Sequence, residues 1–469
     1  MADQPMLRFG TDGWRTTWPD NFTLENVRRV AAAVAHVMPP SGNPVFVVGH
    51  DTRHLSAEAA EAAAETLARH GFHIYRAAAP APTPAVAYAV RRLGAAGAVM
   101  ITASHNPPRY NGLKVFGPRG ESVAHALCRR IEAAIDGPEP EDAHAGTPAG
   151  SVTAFDPSPD YLAHLDTLLD RARLAAGGGR VVVDAMHGAG GGFVAAWLRG
   201  LPWQVDEIRA VPDPDFGGGR PEPIMPHLQP LVDAVRAGNY VAGLAHDGDA
   251  DRIGAVDETG AFISPQIIFP LVLRYLVERR GWRGKVAKTV STTGLVDRLC
   301  QRYDLPVVET PVGFHDISTV LLDQDGLMGG EESGGMSLRG HVPQGDGILL
   351  GLLLLEAVTV AGTTLGGLAA DLMRDFGPVY YNRCDIGLER PLDKKAVVAQ
   401  LVDGAPDTLA GLRVCQVTSA DGVKYHLEDD SWLLIRPSGT EPVLRVYAEA
   451  STPVLVDALC AAGNAAVAR

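Results

Sequence analysis

The chain has 469 residues, 46% of them hydrophobic and 20% charged, which allows several cores and, at roughly 150 residues each, about three domains. Its net charge of −14 argues against a general nucleic-acid binder, which needs a basic face, but not against an anionic small molecule held by local arginines and lysines. The 5 cysteines are widely spaced, which disfavours a disulfide framework or a zinc site and is typical of reduced cytosolic thiols.

No segment of the sequence predicts a membrane or secretory fate. Residues 1–5 have neither a basic nor an apolar region, so no signal peptide is predicted. The longest apolar run, residues 348–355, is far shorter than the roughly 20 residues that span a bilayer and instead predicts a buried helix. We therefore expect a cytoplasmic protein without a membrane partner.

Strand and helix patterns alternate from the N-terminus onward. Residues 45–49 form a continuous apolar run that predicts a buried strand, and the alanine-rich residues 57–70 predict a helix ended by Gly71. Residues 73–75 predict the next strand. This βαβ rhythm predicts an α/β layer structure.

Breaks in this rhythm predict the domain organisation. Residues 137–150 are rich in proline, glycine and acid and predict a linker, and Gly377 with Pro378 predicts a hinge. The last ~90 residues carry alternating strands and an alanine-rich helix, a composition typical of an α+β domain. The predicted domains are residues 1–145, 151–256, 257–375 and 378–469.

A strand over residues 98–101 ends in a loop that carries Ser104 and His105. The prolines after them stiffen the loop, which favours a serine that is held rigidly and modified covalently. His105 is as well explained by a role in fixing the loop as by proton transfer. Lys114 lies between apolar neighbours, which favours a partly buried amine with a lowered pKa, suited to acid–base chemistry, over a surface lysine.

Asp247, Asp249 and Asp251 alternate directly after the strand predicted at 241–245. Three carboxylates in one turn would repel each other, and a hard divalent cation such as Mg²⁺ removes that repulsion. Acidic turns without a metal are common, but three alternating aspartates after a strand are rarer. An EF-hand is excluded because no loop register combines a glycine at position 6 with a glutamate at position 12.

Three further loops carry candidate binding residues. Glu331 and Ser333 lie in a glycine-flanked turn and can face vicinal sugar hydroxyls, although the loop taken alone is better explained as a tight surface turn. Residues 436–442 offer a guanidinium, hydroxyls and backbone N–H groups for a phosphate, and also read as a hairpin turn. Arg445 on the following strand and Arg15 in a glycine-punctuated loop are each either phosphate contacts or exposed residues.

Five motifs in this order resemble those of the α-D-phosphohexomutases. They are Gly-Thr-Asp-Gly-Trp-Arg at 10–15, Thr-Ala-Ser-His-Asn-Pro at 102–107 with its downstream lysine, Asp-Gly-Asp-Ala-Asp-Arg at 247–252, Gly-Glu-Glu-Ser-Gly at 330–334 and Arg-Pro-Ser-Gly-Thr-Glu-Pro at 436–442. The resemblance implies three similar α/β domains with mixed sheets between helices, plus a smaller C-terminal α+β domain, around a central cleft.

The resemblance also implies an isomerase that moves a phosphoryl group between O1 and O6 of a hexose through a phosphoserine. Ser104 would carry the phosphoryl group and, with the three aspartates, hold one Mg²⁺ per subunit. Lys114 would take the proton from the attacking sugar hydroxyl. Hexose 1,6-bisphosphate would be the intermediate and activator. The partner would be a phosphosugar, and both a monomer and a homodimer stay open.

Further roles are implied for charged and polar residues around the sugar. Arg15 and Arg252 would stabilise charge near the transferred group, and Glu331 and Ser333 would bind sugar hydroxyls. The non-transferring phosphate would be bound by Arg436, Ser438, Gly439 and Thr440. Many relatives have a lysine where this chain has His315, so substrate contact there would be weaker and pH-dependent.

The sugar is predicted to be α-D-glucose, because the Glu-Glu-Ser sequence at 331–333 resembles the glucose-type members. The mannose-type branch usually has methionine at the middle position and the glucosamine-type branch glutamine, and both activities stay open. A catalytically silent sugar-phosphate binder is a further alternative, disfavoured because Ser104, Lys114 and the aspartates are all present. A haloacid-dehalogenase-like enzyme would need an aspartate nucleophile in place of the serine.

Overall fold

The computed structural model describes residues 7–10, 13–39, 42–135, 149–388, 392–438 and 443–467. The chain forms four sheets one after another, and we call each sheet with its helices a unit. The first three sheets are mixed and the fourth is antiparallel. The predicted fold class, three α/β units and an α+β unit around a cleft, is confirmed.

The first unit has a seven-stranded sheet in the order β1-β2-β6-β5-β3-β4-β7. Its central strands are buried on both faces, as the apolar run at 45–49 predicts. The helix predicted at 57–70 is present and is followed by Gly71 at a φ of +92°. The elements are β1 (Phe9–Gly10), β2 (Gly13–Thr17), α1 (Leu24–Val37), β3 (Val45–His50), α2 (Ser56–Arg69), β4 (His73–Ala77), α3 (Thr83–Leu93), β5 (Gly97–Ile101), β6 (Tyr110–Phe116), α4 (His125–Ile135) and β7 (Val152–Phe155).

The last strand of this sheet, β7, pairs in parallel with β4 although it follows the predicted linker. The first sheet therefore extends past the predicted boundary at residue 145, because the chain returns to cover the open edge of β4. Residues 137–148 of the predicted linker lie outside the described part of the chain. The domain boundaries as a set stay a prediction.

The second unit has five strands in the order β12-β11-β10-β8-β9. Its short last strand extends beyond the predicted boundary at residue 256 and pairs with β11. The elements are α5 (Ser158–Leu165), α6 (Arg171–Ala175), β8 (Gly179–Asp184), α7 (Phe193–Leu198), β9 (Trp203–Ile208), α8 (Gln229–Ala237), β10 (Ala242–His246), β11 (Ile253–Asp257) and β12 (Phe262–Ile263).

The third unit has four strands in the order β14-β13-β15-β16. The apolar run at 348–355 lies in α12, where all eight residues are buried, as predicted. The helix packs against both the second and the third units, so the two share one core. The elements are α9 (Pro265–Arg280), β13 (Lys285–Thr289), α10 (Leu295–Tyr303), β14 (Val307–Thr310), α11 (Phe314–Asp323), β15 (Gly326–Gly330), β16 (Met336–Leu338), α12 (Gly347–Ala361) and α13 (Leu365–Phe376).

The fourth unit is a six-stranded antiparallel sheet in the order β17-β22-β21-β20-β19-β18. One face is covered by α15, which packs on the long strands β17 and β22. The elements are β17 (Tyr380–Gly387), α14 (Lys394–Asp403), β18 (Thr408–Leu409), β19 (Leu412–Thr418), β20 (Val423–Leu427), β21 (Trp432–Pro437), β22 (Val443–Ala450) and α15 (Pro453–Val467).

Within the described ranges, no single helix is both long and apolar enough to cross a membrane. Among the described helices, α12 and α13 reach that length and composition as a pair, and their axes are bent by 78°.

Candidate active site

The serine loop, residues 102–109, contacts the acidic loop, residues 247–252. The first joins β5 to β6 and the second joins β10 to β11. The Ser104 hydroxyl is fully buried and donates a 2.6 Å hydrogen bond to Oδ2 of Asp247. The predicted nucleophile and the predicted metal loop therefore meet at the junction of the first two units.

Both loops have backbone conformations that allow this close approach. Ser104 has a φ of +51° and Ala250 a φ of +58°, in the left-handed region that side-chain-bearing residues seldom adopt. Gly248 packs so closely on the serine loop that a Cβ there would lie 2.7 Å from the Ser104 carbonyl oxygen. Strained backbone of this kind clusters at functional sites, where the surrounding structure holds it in place.

The three aspartates of the acidic loop converge as their alternation predicts. One carboxylate oxygen of each lies within 4.8 Å of the other two. Oδ1 of Asp249 and Oδ1 of Asp251 are buried and accept no hydrogen bond from any described residue. Converging carboxylate oxygens with free lone pairs fit a hard cation such as Mg²⁺.

The aspartates differ in the groups that surround them. Burial and the charges of Asp251 and Asp249 hold the pKa of Asp247 well above its ordinary value. Burial acts in the same direction on Asp249, but the Lys114 ammonium and the Thr83 hydroxyl outweigh it and hold the pKa of Asp249 below its ordinary value. The Thr83 hydroxyl donates to Asp249 Oδ2 at 2.6 Å. The loop therefore concentrates negative charge that a bound cation would neutralise.

Lys114 extends from β6 of the first unit into the acidic loop of the second. It is 2% exposed, more deeply buried than the sequence predicts. Its Nζ donates to Asp249 Oδ2 at 2.9 Å and to Asp251 Oδ2 at 2.5 Å. These two ion pairs place the lysine amine within the triad, and its role in proton transfer stays a prediction.

His105 lies beside the serine, with Nδ1 3.5 Å from Ser104 Oγ, at the outer limit of a hydrogen bond. Burial and nearby positive charge hold the pKa of His105 well below its ordinary value, so the imidazole is neutral near pH 7. That charge comes from four arginines of three units: Arg252, Arg15, Arg220 and Arg383. Such a concentration of guanidinium groups favours an anionic ligand in the cleft.

Arg15 and Arg252 both touch the junction of the two loops. Nη1 of Arg15, on β2, donates to Asn106 Oδ1 at 3.1 Å. The backbone N–H of Arg252 donates to Asp247 Oδ1 at 3.1 Å. Burial disfavours the Arg252 charge, but Asp247 and Asp251 outweigh this effect and raise its pKa. Both arginines lie at the junction of the two loops, and their roles stay predictions.

The glutamate loop, residues 331–335, joins β15 to β16 in the third unit. Oε1 of Glu331 accepts a 3.0 Å hydrogen bond from the Gly313 N–H group, and Ser333 is half-buried at the turn. Gly334 has a φ of +98°, which a side chain would strain. Glu332 is turned toward the fourth unit, with Oε1 3.3 Å from Nη1 of Arg383.

His315, in the first turn of α11, faces the first unit. Its Nδ1 lies 2.9 Å from the carbonyl oxygen of Ser122, and its ring meets that of His125 edge-on at 6.2 Å. Together with Arg119 it lines a cavity of about 220 Å³ between the first and third units. Its expected contact with substrate stays a prediction.

The arginine loop, residues 436–442, is described only as far as Ser438. Arg436 is buried, and its Nε donates to Asp421 Oδ2 at 2.7 Å. The Ser438 N–H group donates to the carbonyl of Val443 at 2.9 Å. Arg445 lies opposite Arg436 on β22 and is 3.8 Å from Asp385. The other two predicted phosphate ligands, Gly439 and Thr440, lie outside the described residues.

Sequence reasoning missed five residues that the structure places at or beneath the site. They are Arg53, Thr83, Arg220, Arg383 and Asp421. Arg53 had a signal, because it directly follows the predicted strand at 45–49, and the carboxyl ends of such strands gather ligand-binding residues. Arg383 had none, since only the folded position of β17 brings it to the glutamate loop.

Comparison with known proteins agrees with this architecture along the whole chain. Models of the phosphoglucomutase/phosphomannomutase family match as alpha/beta/alpha domain I at residues 6–141, domain II at 159–260, domain III at 264–376 and the C-terminal domain at 392–464. Together they cover well over half of the sequence.

Individual relatives of the chain carry different substrate names. A protein named "Probable phosphoglucosamine mutase" from Methanothermobacter thermautotrophicus is 34% identical, with 96% of each chain covered. A "Phosphoglucomutase/phosphomannomutase" from Thermococcus kodakarensis is 31% identical, with 95% of this chain and 94% of the relative covered. The crystal structure of a "putative phosphomannomutase" from Thermus thermophilus is 35% identical, covers 100% of both chains and has a TM-score of 0.87.

Four family models in order and relatives similar over nearly their full length agree with the assembled serine and acidic loops. The chain belongs to the phosphoglucomutase/phosphomannomutase family and is a phosphohexomutase, an isomerase that acts as an intramolecular phosphotransferase.

Proposed function

We propose that this phosphohexomutase interconverts hexose 1-phosphates and hexose 6-phosphates by way of a phosphoryl group carried on Ser104. The observation that carries the proposal is the buried 2.6 Å hydrogen bond between the Ser104 hydroxyl and Asp247. It places the hydroxyl oxygen of the serine against three carboxylates. A hydrolase serine of the Ser–His type would instead need an imidazole base in close hydrogen-bond contact, and Nδ1 of His105 lies 3.5 Å from Ser104 Oγ, at the outer limit of a hydrogen bond.

Asp247, Asp249 and Asp251, with an oxygen of the phosphoserine, would hold one Mg²⁺, which would neutralise charge on the phosphoryl group during transfer. The support for this site is the two buried carboxylate oxygens without a donor among the described residues. Arg15 and Arg252 add positive charge from the two sides of the same junction.

In the transfer, a hydroxyl of the bound hexose phosphate attacks the phosphorus, and the bond from phosphorus to Ser104 Oγ breaks. Lys114 takes the proton from the attacking hydroxyl, and the freed Ser104 oxygen takes up a proton from solvent to become a hydroxyl. In the return transfer, Ser104 releases its proton to solvent as its oxygen attacks the other phosphate of the hexose 1,6-bisphosphate. The bond from that phosphorus to the sugar oxygen breaks, and the leaving sugar oxygen receives its proton from Lys114. The ammonium form of Lys114, paired with two aspartates beside an unmodified serine, suits this second step.

The bisphosphate must turn between the two transfers while it stays bound. We propose that Arg436 and Ser438, with Gly439, Thr440 and Arg445, bind whichever phosphate is not being transferred. Glu331 and Ser333 bind sugar hydroxyls that occupy similar positions in both orientations of the hexose. Binding at a distance from the reacting atoms supplies the positioning on which phosphoryl transfer depends.

The hexose is best treated as glucose or glucosamine. The sequence favours glucose through Glu332, but that carboxylate binds Arg383 of the fourth unit. The relative at 34% identity is named "Probable phosphoglucosamine mutase", which supports glucosamine phosphate at least as well. Mannose phosphate is the third substrate to compare, in view of the phosphomannomutase names.

The deciding experiment compares glucose 1-phosphate, glucosamine 1-phosphate and mannose 1-phosphate in coupled assays with Mg²⁺ and the matching 1,6-bisphosphate. In parallel, intact mass and peptide mapping determine whether Ser104 is phosphorylated. We expect activity with at least one sugar, a phosphate on Ser104, and neither in Ser104→Ala. An active preparation that never carries phosphate on Ser104 would refute the mechanism, and inactivity on all three sugars would refute the substrate class.

A further inference from the structure

Arg53 follows β3, and its side chain is completely buried beneath the serine loop. Nη1 donates to the carbonyl oxygens of Pro107 and Tyr110, at 2.9 and 2.8 Å. Nη2 donates to the carbonyl oxygens of Ser104 and Asn106, at 2.5 and 2.6 Å. One guanidinium therefore binds four peptide carbonyls of a seven-residue stretch, and unpaired carbonyls in this buried position would be costly.

The fifth N–H donor of Arg53, on Nε, connects the guanidinium to the backbone N–H group of Ser104 through two side chains. Nε donates to Asp51 Oδ2 at 3.1 Å, and the same oxygen accepts a 2.6 Å hydrogen bond from the Thr102 hydroxyl. The Thr102 oxygen in turn accepts from the Ser104 N–H group at 2.8 Å. All five N–H donors of the guanidinium are used, and both the N–H and the C=O group of Ser104 are fixed by this network.

The network explains how a serine keeps a left-handed backbone. Ser104 has a φ of +51°, a conformation that persists only where the surroundings hold it. The direction of its Cα–Cβ bond, and so the position of Oγ against Asp247, follows from that backbone. Arg53 also holds the carbonyl of Asn106, whose side chain accepts from Arg15.

We propose that Arg53 is a positioning residue for phosphoryl transfer, which acts by fixing the backbone of Ser104 and not by touching the phosphoryl group. The inference rests on the proposed function of Ser104 as the phosphoryl carrier. The ring of Phe216, in the second unit, also covers the Arg53 guanidinium at a distance of 4.8 Å. Arg53 therefore also connects the serine loop to the unit that carries the acidic loop.

The test compares Arg53→Lys with Arg280→Lys as a matched control. Arg280 is a half-buried arginine that also binds a carboxylate, Glu356, and a carbonyl, Leu168, but it lies in α9, away from the site. Lysine keeps the charge and loses the planar fork that reaches several carbonyls. The readouts are the melting temperature, kcat, KM, and the rate at which glucose 1,6-bisphosphate phosphorylates Ser104, followed by intact mass.

We expect both variants to melt at a lower temperature, but only Arg53→Lys to lose kcat, by about 100-fold, because misplacement of a reacting group by ~1 Å has this effect. Its KM should stay within about threefold of wild type, and phosphorylation of Ser104 should slow in parallel with kcat. Wild-type phosphorylation and kcat in folded Arg53→Lys would overturn the inference, as would an equal loss in Arg280→Lys.

If Arg53→Lys does not fold, Thr102→Val tests the inference instead. This change removes the hydrogen bond to the Ser104 N–H group and leaves the four hydrogen bonds from Arg53 to backbone carbonyls in place. A loss of about tenfold in kcat with unchanged KM supports the positioning network, and wild-type kcat overturns it. The proposed function fails separately: in that case wild-type enzyme itself is active without phosphate on Ser104.

Discussion

Oε1 of Glu332 lies 3.3 Å from Nη1 of Arg383, and this ion pair joins the third unit to the fourth. Asp385 holds the guanidinium by two further hydrogen bonds of 2.8 and 2.7 Å, and the ring of Tyr447 lies 5.7 Å away. The Glu332 side chain is only 15% exposed, so the pair is largely shielded from water. Glu332 of the glutamate loop therefore connects the third unit to β17 of the fourth unit.

The first prediction concerns Glu332→Gln. Loss of the charge weakens the junction between the two units, so we expect KM for hexose phosphates to rise about fivefold to tenfold, with kcat within about twofold. The preference between glucose and glucosamine phosphates should not change, because the side chain faces Arg383. Steady-state kinetics on both sugars check this. Glu428→Gln, in a solvent-exposed pair with Arg413, is the control and should change nothing.

An altered sugar preference at unchanged KM would contradict this prediction. It would show that Glu332 contacts the sugar directly, as the resemblance to glucose-type members suggests.

The second prediction is that Asp249→Asn loses most Mg²⁺-dependent activity, about 100-fold or more in kcat/KM. The change keeps the shape of the side chain and removes one of three converging charges. Calorimetry should show weaker Mg²⁺ binding, and excess Mg²⁺ should restore activity only in part. Asp233→Asn, an exposed acid on α8, is the control. Full activity at low Mg²⁺ would refute the metal assignment.

Lys114→Met is the third case, with an expected loss of about 10²- to 10⁴-fold in kcat, the range for removal of a general acid–base group. KM should change little, because the lysine binds aspartates and not the far end of the substrate. Both directions should slow equally, since the same residue moves the proton each way. Lys285→Met, at the start of β13 and near Gln324, is the control. Wild-type kcat in Lys114→Met would exclude the lysine from proton transfer.

The fourth prediction is an acid-dependent loss of stability at His164, where three units meet. Its Nε2 lies 3.1 Å from Nδ1 of His341, and its ring stacks on Tyr88 at 4.2 Å. Burial and the neighbouring His341 lower the pKa of His164 to about 3. The unfolded chain binds this proton near pH ~6.5, so between that pH and about 3 the unfolded state binds more protons.

The free energy of unfolding should therefore fall as the pH drops below about 6.5, by up to about 1.4 kcal/mol per pH unit from this residue. Urea unfolding between pH 7 and 4.5 should show a shallower pH slope for His164→Gln than for wild type. His36→Gln, on an exposed face of α1, should keep the wild-type slope. Equal slopes in His164→Gln and wild type would contradict a neutral, buried His164.

Local patterns predict what a single segment can encode. The alternation of Asp247, Asp249 and Asp251 after a strand predicts their convergence, and the apolar run before Ser104 predicts its place at a strand end. The sequence does not predict the partners, because Thr83 and Lys114 reach Asp249 across 166 and 135 residues. Such pairs depend on how the units pack, which no local period records.

This dependence on the packing of distant segments also explains why parts of the observed fold differ from the predicted one. The strand Val152–Phe155 is too short and exposed to be recognised after the linker, and it is defined by its pairing with β4. The loop that carries Glu332 has the composition of a sugar-binding loop. The orientation of the Glu332 side chain depends instead on Arg383, which lies 51 residues away in the sequence.

Because Gly248 has no side chain, it lets the backbones of the serine loop and the acidic loop approach each other closely. With 2.7 Å between its missing Cβ and the Ser104 carbonyl oxygen, even a methyl group would push the serine loop and the acidic loop apart. That displacement would lengthen the hydrogen bond from Ser104 to Asp247 and shift the three aspartates at the same time. If these residues act as proposed, a side chain at position 248 therefore impairs phosphoryl transfer and cation binding together.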